Sequence, residues 1–114
     1  MSTLGSFDSL EVEEPYSGLR RRTFDSGAAT VNEYSFRPGA GFPLHRHPQE
    51  QITLVLEGKV TMTIEGHSSD LSAGDWSVVA PNVEHGITAG TEPARIVAIV
   101  VPRRQAADAY TVVE

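Results

Sequence analysis

Two histidines and a glutamine in one short segment have the residue types and the spacing of metal ligands. His45 and His47 flank a single residue, and Gln51 follows four residues later. Side chains two apart in an extended chain point to the same side, so these three share one face and Glu50 lies on the other. We therefore expect the amide oxygen of Gln51, rather than the Glu50 carboxylate, to be a ligand, unless a bulge at Pro48 reverses that assignment.

Composition restricts the atoms that could hold this metal. The chain has no cysteine, which excludes disulfides, thiolate ligands and cysteine nucleophiles. One divalent ion held by nitrogen and oxygen is expected, and zinc, nickel, iron, manganese and cobalt all accept such ligands. Another histidine, His67, lies in a predicted turn between Gly66 and Ser68, where we expect it to face solvent.

The segment that carries these ligands resembles the first motif of the cupin superfamily. That motif reads Gly, five residues, His-X-His, three or four residues, Glu, six residues, Gly. The chain matches it at Gly39, His45, His47 and Gly58, with Gln51 in place of the usual Glu. A lone His-X-His is weak evidence, whereas agreement at several fixed spacings is specific.

A later stretch resembles the second cupin motif, which reads Gly, five residues, Pro-X-Gly, two residues, His, three residues, Asn. Gly74 and His85 match it, while Ala80, Asn82 and Ala89 replace the Pro, Gly and Asn. Asn82 tolerates the left-handed backbone that glycine would supply. The resemblance, to the small single-domain cupins, implies an all-β jelly-roll barrel with a metal ion inside. It also implies a ligand set of His45, His47, Gln51 and His85.

The elements that would position this site are short strands. Residues 1–29 are predicted to form an N-terminal arm and edge strand, and residues 30–114 the barrel with a short C-terminal tail. Runs of β-branched and aromatic residues between Gly, Pro, Asn or Asp turns predict the strands. They are Thr30 to Arg37, Gln51 to Glu57, Val60 to Glu65, Trp76 to Ala80 and Arg95 to Val101. Gly58-Lys59 predicts a hairpin between the second and the third, with Val60, Met62 and Ile64 on one face.

Three side chains and the tail have two open interpretations each. Phe42, Met62 and Trp76 either line a pocket or belong to the core and the barrel wall. Residues 105–110 have the composition of a short helical turn, and residues 111–114 are either extended or frayed.

The charge balance argues against nucleic acid and anionic membranes as partners. The 114 residues include 9 Lys plus Arg and 15 Asp plus Glu, a formal net charge of −6. The basic cluster at residues 20–22 follows Glu11, Glu13 and Glu14 and predicts a locally neutralised surface. No stretch approaches the roughly 20 apolar residues of a membrane span, and a cytoplasmic protein is expected. Small size and apolar strands such as residues 95–101 favour a homodimer.

Within the cupins, the string His-Arg-His-Pro-Gln-Glu-Gln is similar to the small pectin-degradation type, which converts unsaturated uronates to linear keto forms. The resemblance implies a redox-neutral, metal-dependent isomerase or ketonising enzyme for a small sugar acid or another enolisable carbonyl compound. Neutral ligands leave the charge of the ion uncompensated, which favours a Lewis-acid role. A uronate carboxylate needs a basic residue, and Arg37, Arg46 and Arg103 are the candidates, although Arg46 has the wrong parity.

Three other functions stay open at this point, and no catalytic residue is assigned. A metal-dependent dioxygenase commonly has a carboxylate ligand, which Gln51 replaces here, although three-histidine iron sites occur in other cupins. A zinc-bearing polyketide cyclase of the cupin type has comparable ligands and would bind a larger aromatic substrate. A non-catalytic cupin would bind a small ligand or hold only a structural metal.

Overall fold

Short runs of alternating burial organise the chain into β-strands. The computed structural model describes residues 2–105 and 111–112. Those residues contain one 3-10 helix, Phe7–Ser9, and eleven strands. The strands are β1 Glu13–Tyr16, β2 Leu19–Asp25, β3 Thr30–Phe36, β4 Gly41–Arg46, β5 Glu50–Glu57, β6 Lys59–Ile64, β7 His67–Ser72, β8 Trp76–Val79, β9 His85–Ala89, β10 Ala94–Val101 and β11 Thr111–Val112. His67 is exposed, as expected, but it begins β7, and the predicted turn lies one residue earlier, at Glu65 and Gly66.

The strands form two sheets that face each other as a jelly roll. One sheet has six strands in the order β1-β2-β3-β10-β5-β8, and the other has five in the order β11-β4-β9-β6-β7. Most neighbours within a sheet are distant along the chain, which is typical of Greek-key connections. The predicted all-β, single-domain jelly roll is confirmed.

The hydrophobic core lies between the two sheets. Alternate side chains of β10 between residues 94 and 100 are buried on the inner face of the six-stranded sheet. From the opposite sheet, Val60 and Met62 are buried and Ile64 is half-buried. These three share one face of β6, as predicted.

The predicted hairpin around Gly58 is wrong. β5 pairs with β10 and β8, whereas β6 pairs with β7 and β9 in the other sheet. Gly58 has a φ of 74°, and a β-carbon there would collide with the carbonyl oxygen of Pro93. The glycine therefore turns the chain from one sheet to the other at a crowded corner, instead of reversing it within one sheet.

Trp76 is neither a pocket residue nor a core residue. It is 66% exposed on the outer face of β8, which is the edge strand of its sheet. The inward positions of β8 belong to Ser77 and Val79, and Ser77 Oγ lies 3.0 Å from Met62 Sδ. Met62 is a core residue at 2% exposure, and Phe42 is buried between the sheets.

The basic cluster at the start of β2 is neutralised, as predicted. Arg21 Nε donates to Glu13 Oε1 at 3.2 Å, and Arg20 Nε lies 3.9 Å from Glu14 Oε1. The Arg20–Glu14 pair is exposed on both sides and adds little to stability. Both pairs reduce the local excess of positive charge.

The end of the chain returns to the five-stranded sheet. Thr111 and Val112 are extended and pair with β4 at Arg46 and His45. Residues 106–110, where most of the predicted helical turn falls, lie outside the described residues. In the part of the chain that the structure describes, no helix has the length and apolar character needed to cross a membrane.

Candidate metal centre

The strand pair β4 and β9 brings two histidines face to face. His45 lies opposite His85 in the antiparallel register, and their ring centroids are 4.2 Å apart. Arg46 points outward and is exposed, and His47, one residue beyond β4, returns to the inner side. Its ring centroid lies 5.4 Å from that of His45 and 4.8 Å from that of His85. All three histidines are buried.

Gln51 reaches the histidines from the opposite sheet. Its Oε1 lies 3.0 Å from His47 Nε2 and 3.3 Å from His85 Nε2. Gln51 is 9% exposed, whereas Glu50 is exposed on the outer side of β5. The amide, and not the neighbouring carboxylate, therefore faces the histidines, and the site spans both sheets.

Backbone carbonyl groups fix the tautomer of every histidine in the site. A carbonyl oxygen can only accept, so each Nδ1 must carry the proton and donate it. Each Nε2 then keeps a lone pair, and all three face a common centre. Such orientation by the other ring nitrogen is usual for histidines that bind metals. The three carbonyl oxygens belong to Pro43, Gln49 and Val83, at 2.8, 3.0 and 2.8 Å from Nδ1 of His45, His47 and His85 respectively.

The amide of Gln51 is oriented in the same way. Its Nε2 donates to Thr53 Oγ1 at 3.0 Å, which turns Oε1 toward the histidines. Oε1 and the imidazole Nε2 atoms near it are then all acceptors, with no proton to share between them. A cation resolves this repulsion, and the ligand atoms of His45, His47 and His85 lie within 4.8 Å of one another. Three imidazole nitrogens and one amide oxygen fit a divalent transition metal.

Burial holds His45 and His85 in their neutral, metal-binding form. Removal from water lowers the pKa of His45 to about 3, and the nearby His85 adds to the effect. Burial also lowers the pKa of His85. A proton therefore competes poorly with a metal ion for these nitrogens at neutral pH.

A turn before β9 ties the two halves of the site together. The backbone N–H of Asn82 donates to the carbonyl oxygen of His47 at 2.8 Å. Asn82 has a φ of 63°, the left-handed conformation that its place in the sequence predicts. This one contact joins the segment that carries His47 to the turn that leads into His85.

The space beside the ligands has a polar side and an apolar side. Each side is a small pocket that is partly open to solvent. Both are lined by Tyr34, Phe42, His45 and Gln51. The polar side is also lined by Asn32, His47, Gln49, Val100 and Arg104. The apolar side is also lined by Phe36, His85, Ile87 and Ile96. A bound molecule would thus meet polar groups at one end and hydrocarbon at the other.

The basic residue beside the site is not one of those expected from the sequence. Arg37, Arg46 and Arg103 are all exposed, whereas the half-buried Arg104 lines the polar side. The backbone N–H of Arg104 donates to Thr30 Oγ1 at 2.9 Å, which holds this residue against the inner face of β3. The alternation of side chains along a strand could not predict the position of Arg104, because this residue follows the end of β10.

Comparisons with known proteins agree with this architecture. H2HPP isomerase of Bacillus subtilis is 29% identical over 106 residues, which are 92% of this chain and 44% of that protein. Dimethylsulfoniopropionate lyase DddW of Ruegeria pomeroyi is 30% identical over 90 residues, 74% of this chain and 59% of the lyase. This chain thus spans less than two thirds of the length of either relative.

A solved structure and a protein family also match this chain. KdgF from Halomonas sp. superposes with a TM-score of 0.78 at 25% identity, covering 85% of this chain and 92% of KdgF. The cupin domain family, Cupin_2, matches residues 32–100, which is more than half of the chain and includes all four residues of the candidate centre. The chain belongs to the Cupin_2 family, with three buried histidines that can hold a metal ion.

Proposed function

We propose that this protein is a metal-dependent, redox-neutral isomerase for a small carboxylate that carries an enolisable carbonyl group. His45, His47, Gln51 and His85 would be the metal ligands. The observation that carries the proposal is the neutral ligand set, in which the Gln51 amide faces the histidines and the Glu50 carboxylate faces away. An ion bound there supplies Lewis-acid polarisation of a substrate oxygen.

Arg104 is the group that would bind the substrate carboxylate. It lines the same pocket as His45, His47 and Gln51. Among residues 2–105 and 111–112, no carboxylate forms an ion pair with it. A guanidinium without an acidic partner is suited to bind a carboxylate through two parallel hydrogen bonds. The distance from Arg104 to the ligands would then set where the reacting carbon lies.

Tyr34 is the side chain that we assign to proton transfer. An isomerisation through an enolate needs one group to remove a proton and return it. Apart from the metal ligands, the described residues that line the pocket include two titratable side chains, Tyr34 and Arg104. Tyr34 lies on both sides of the pocket, and its hydroxyl is hydrogen-bonded to Arg21. Arg21 therefore places a positive charge beside the hydroxyl group that would exchange the proton.

The relatives are consistent with chemistry that does not consume dioxygen. One curated relative is named an isomerase and the other a lyase, and both names describe rearrangement or elimination rather than oxidation. Activation of dioxygen at iron commonly uses a carboxylate ligand, which is not found among the ligands facing this centre. These points favour the isomerase over the oxygenase.

The test combines metal loading with two assays on the same samples. Protein stripped of metal and reloaded with zinc, nickel, cobalt, manganese or iron(II) is given an unsaturated uronate and a 2-oxo acid, while substrate isomerisation and oxygen uptake are followed. We expect about one metal per chain and turnover without oxygen use. His85→Ala should lose the metal, and Tyr34→Phe should keep it but turn over at least about 100-fold more slowly. Stoichiometric oxygen uptake, or metal binding without turnover of any enolisable acid, would contradict the proposal.

A further inference from the structure

Gln49 carries a buried amide that has no partner in the protein. The residue is 1% exposed, and neither its Oε1 nor its Nε2 makes a hydrogen bond. Among the described residues, one other buried side-chain atom lacks a hydrogen-bond partner, and it is Nε of Arg22 in β2. Buried polar atoms without partners are rare because each has given up its hydrogen bonds to water.

The fold does not need this side chain. The backbone carbonyl of Gln49 accepts a hydrogen bond from His47 Nδ1 at 3.0 Å, and this contact orients a candidate metal ligand. Any residue at position 49 would supply the same carbonyl oxygen. The amide therefore costs stability without making a contact that folding or metal binding requires.

The amide lies where a bound molecule would be. Gln49 lines the polar side of the pocket together with Asn32, Arg104 and the ligands His47 and Gln51. Its Nε2 can donate to a carboxylate or carbonyl oxygen, and its Oε1 can accept from a hydroxyl group. A molecule that offers an acceptor and a hydroxyl donor side by side would satisfy both atoms at once.

We propose that Gln49 is a specificity-determining residue that recognises a hydroxyl group next to the carboxylate of the substrate. This inference rests on the proposed function and narrows its substrate class to hydroxylated carboxylates, such as sugar acids. Arg104 binds the carboxylate, and Gln49 binds the adjacent hydroxyl and one carboxylate oxygen. A substrate analogue that lacks the hydroxyl leaves Gln49 Oε1 buried without a donor, and such sites reject the analogue strongly.

The test compares Gln49→Met with the native protein, both loaded with zinc. Methionine has a similar length and no strong hydrogen-bonding atom, and it keeps the backbone carbonyl that orients His47. Binding of glycerate and of propanoate is measured by calorimetry, because the two probes differ in their hydroxyl groups. Gln105→Met makes the same change at an exposed position and is the matched control.

We expect Gln49→Met to bind glycerate about 10- to 100-fold more weakly. Propanoate shares only the carboxylate contact, so its affinity should fall by clearly less, and metal content should not change. Chelation by the metal also favours glycerate, so the decisive quantity is the change in the ratio of the two affinities. Without a probe, Gln49→Met should unfold at the same or a higher temperature than the native protein, because it loses two unpartnered polar atoms. A lower unfolding temperature would show a structural role and overturn the inference.

Further results would separate this inference from the proposed function. An unchanged affinity ratio in Gln49→Met, or native protein that binds neither probe, would overturn the role of Gln49. If the protein still turned over an enolisable acid while that ratio was unchanged, the proposed isomerase activity would be supported and only the role of Gln49 would be lost. Selective glycerate binding that depends on Gln49, in a protein that turns over no enolisable acid, would support the recognition site and contradict the isomerase.

Discussion

In the proposed metal centre, the side chain of Gln51 would keep the ligand set neutral. Glutamate has nearly the same shape, so Gln51→Glu should keep the metal and bind it at least as tightly. The added negative charge weakens Lewis acidity, and we expect turnover to fall about 10-fold or more. Metal content and kcat are measured on the same preparation.

The matched control for that change is Glu50→Gln. It exchanges the same two residue types at the neighbouring position, which faces solvent. Metal content and kcat should both stay at the native level. Native activity in Gln51→Glu would mean that the neutral charge of the ligand set is irrelevant to the reaction.

The pKa of His45 makes the stability of the metal-free protein depend on pH. Burial lowers this pKa from 6.5 to about 3. Between those values the unfolded chain binds a proton that the folded chain does not. Stability is therefore complete above about pH 6.5 and falls as the pH decreases toward 3. Urea unfolding of chelator-treated protein at pH 7 and at pH 4.5 measures the difference.

His45→Phe removes the titrating group and keeps a ring beside Phe42, whose centroid lies 4.4 Å from that of His45. This variant should lose less stability than the native protein between the two pH values. An equal loss in both proteins would assign the acid sensitivity to other groups.

Sequence reasoning pointed to four side chains that the structure brings together, and it missed the polar residues beside them. Fixed motif spacing pointed to His45, His47, Gln51 and His85, because two strands and one turn set their separations. Arg104 follows the end of β10, where no periodicity applies, and the sequence pointed to Arg37, Arg46 and Arg103 as candidates instead. The unpartnered amide of Gln49 has no signature in the sequence, since burial without a partner is visible only in three dimensions.

At the scale of elements, the corner at Gly58 is the feature most sensitive to substitution. Gly58→Ala combines a positive φ with a collision against Pro93. Gly66 also has a positive φ, of 81°, but no atom lies within 4 Å of a β-carbon there. We expect Gly66→Ala to lower the free energy of unfolding by about 1–2 kcal/mol and Gly58→Ala to lower it by clearly more. Chemical denaturation of both variants tests this, and equal losses would show that the corner is not crowded in solution.

Strand positions were predictable and one strand pairing was not. Alternation located β3, β5 and β10 to within one residue at each end. A Gly-Lys pair between two strands is compatible with a tight hairpin. It is equally compatible with a chain that crosses from one sheet to the other, and the residues of the turn do not distinguish the two. At this corner Gly58 lies close to Pro93 and Ala94, which are far away in the sequence.

At the scale of the whole molecule, the outer face of the six-stranded sheet is unusually apolar. Leu54 pairs with Trp76 and Ile52 with Val78 across β5 and β8, and all four side chains point outward. Trp76 is 66% exposed and Val78 is 50% exposed. Exposed apolar patches of this kind mark interaction sites.

The neighbouring charges suit a second copy of the chain on this face. Arg95 Nη2 lies 2.8 Å from Glu33 Oε2, and Arg95 Nη1 lies 3.6 Å from Glu57 Oε1, so the patch is bordered by both signs of charge. Such a surface can complement itself across a two-fold axis. We expect the native protein to have twice the 12.3 kDa mass of one chain in light scattering.

Trp76→Glu should convert the dimer to a monomer, since it places a charge within the apolar patch. Leu4→Glu is the control, because Leu4 is 99% exposed on the N-terminal arm. Native protein that is monomeric at micromolar concentration, or a dimer that survives Trp76→Glu, would contradict this arrangement.

The separation of the ligands along the chain has a consequence for how the protein acquires its metal. Gln51 and His85 are 34 residues apart and come from different sheets, so they meet only after both sheets have formed. An ion added to the unfolded chain would find two histidines at most in one short segment. Metal should therefore enter a finished barrel, and refolding should proceed at the same rate with or without it, unlike small zinc domains whose folding requires the ion.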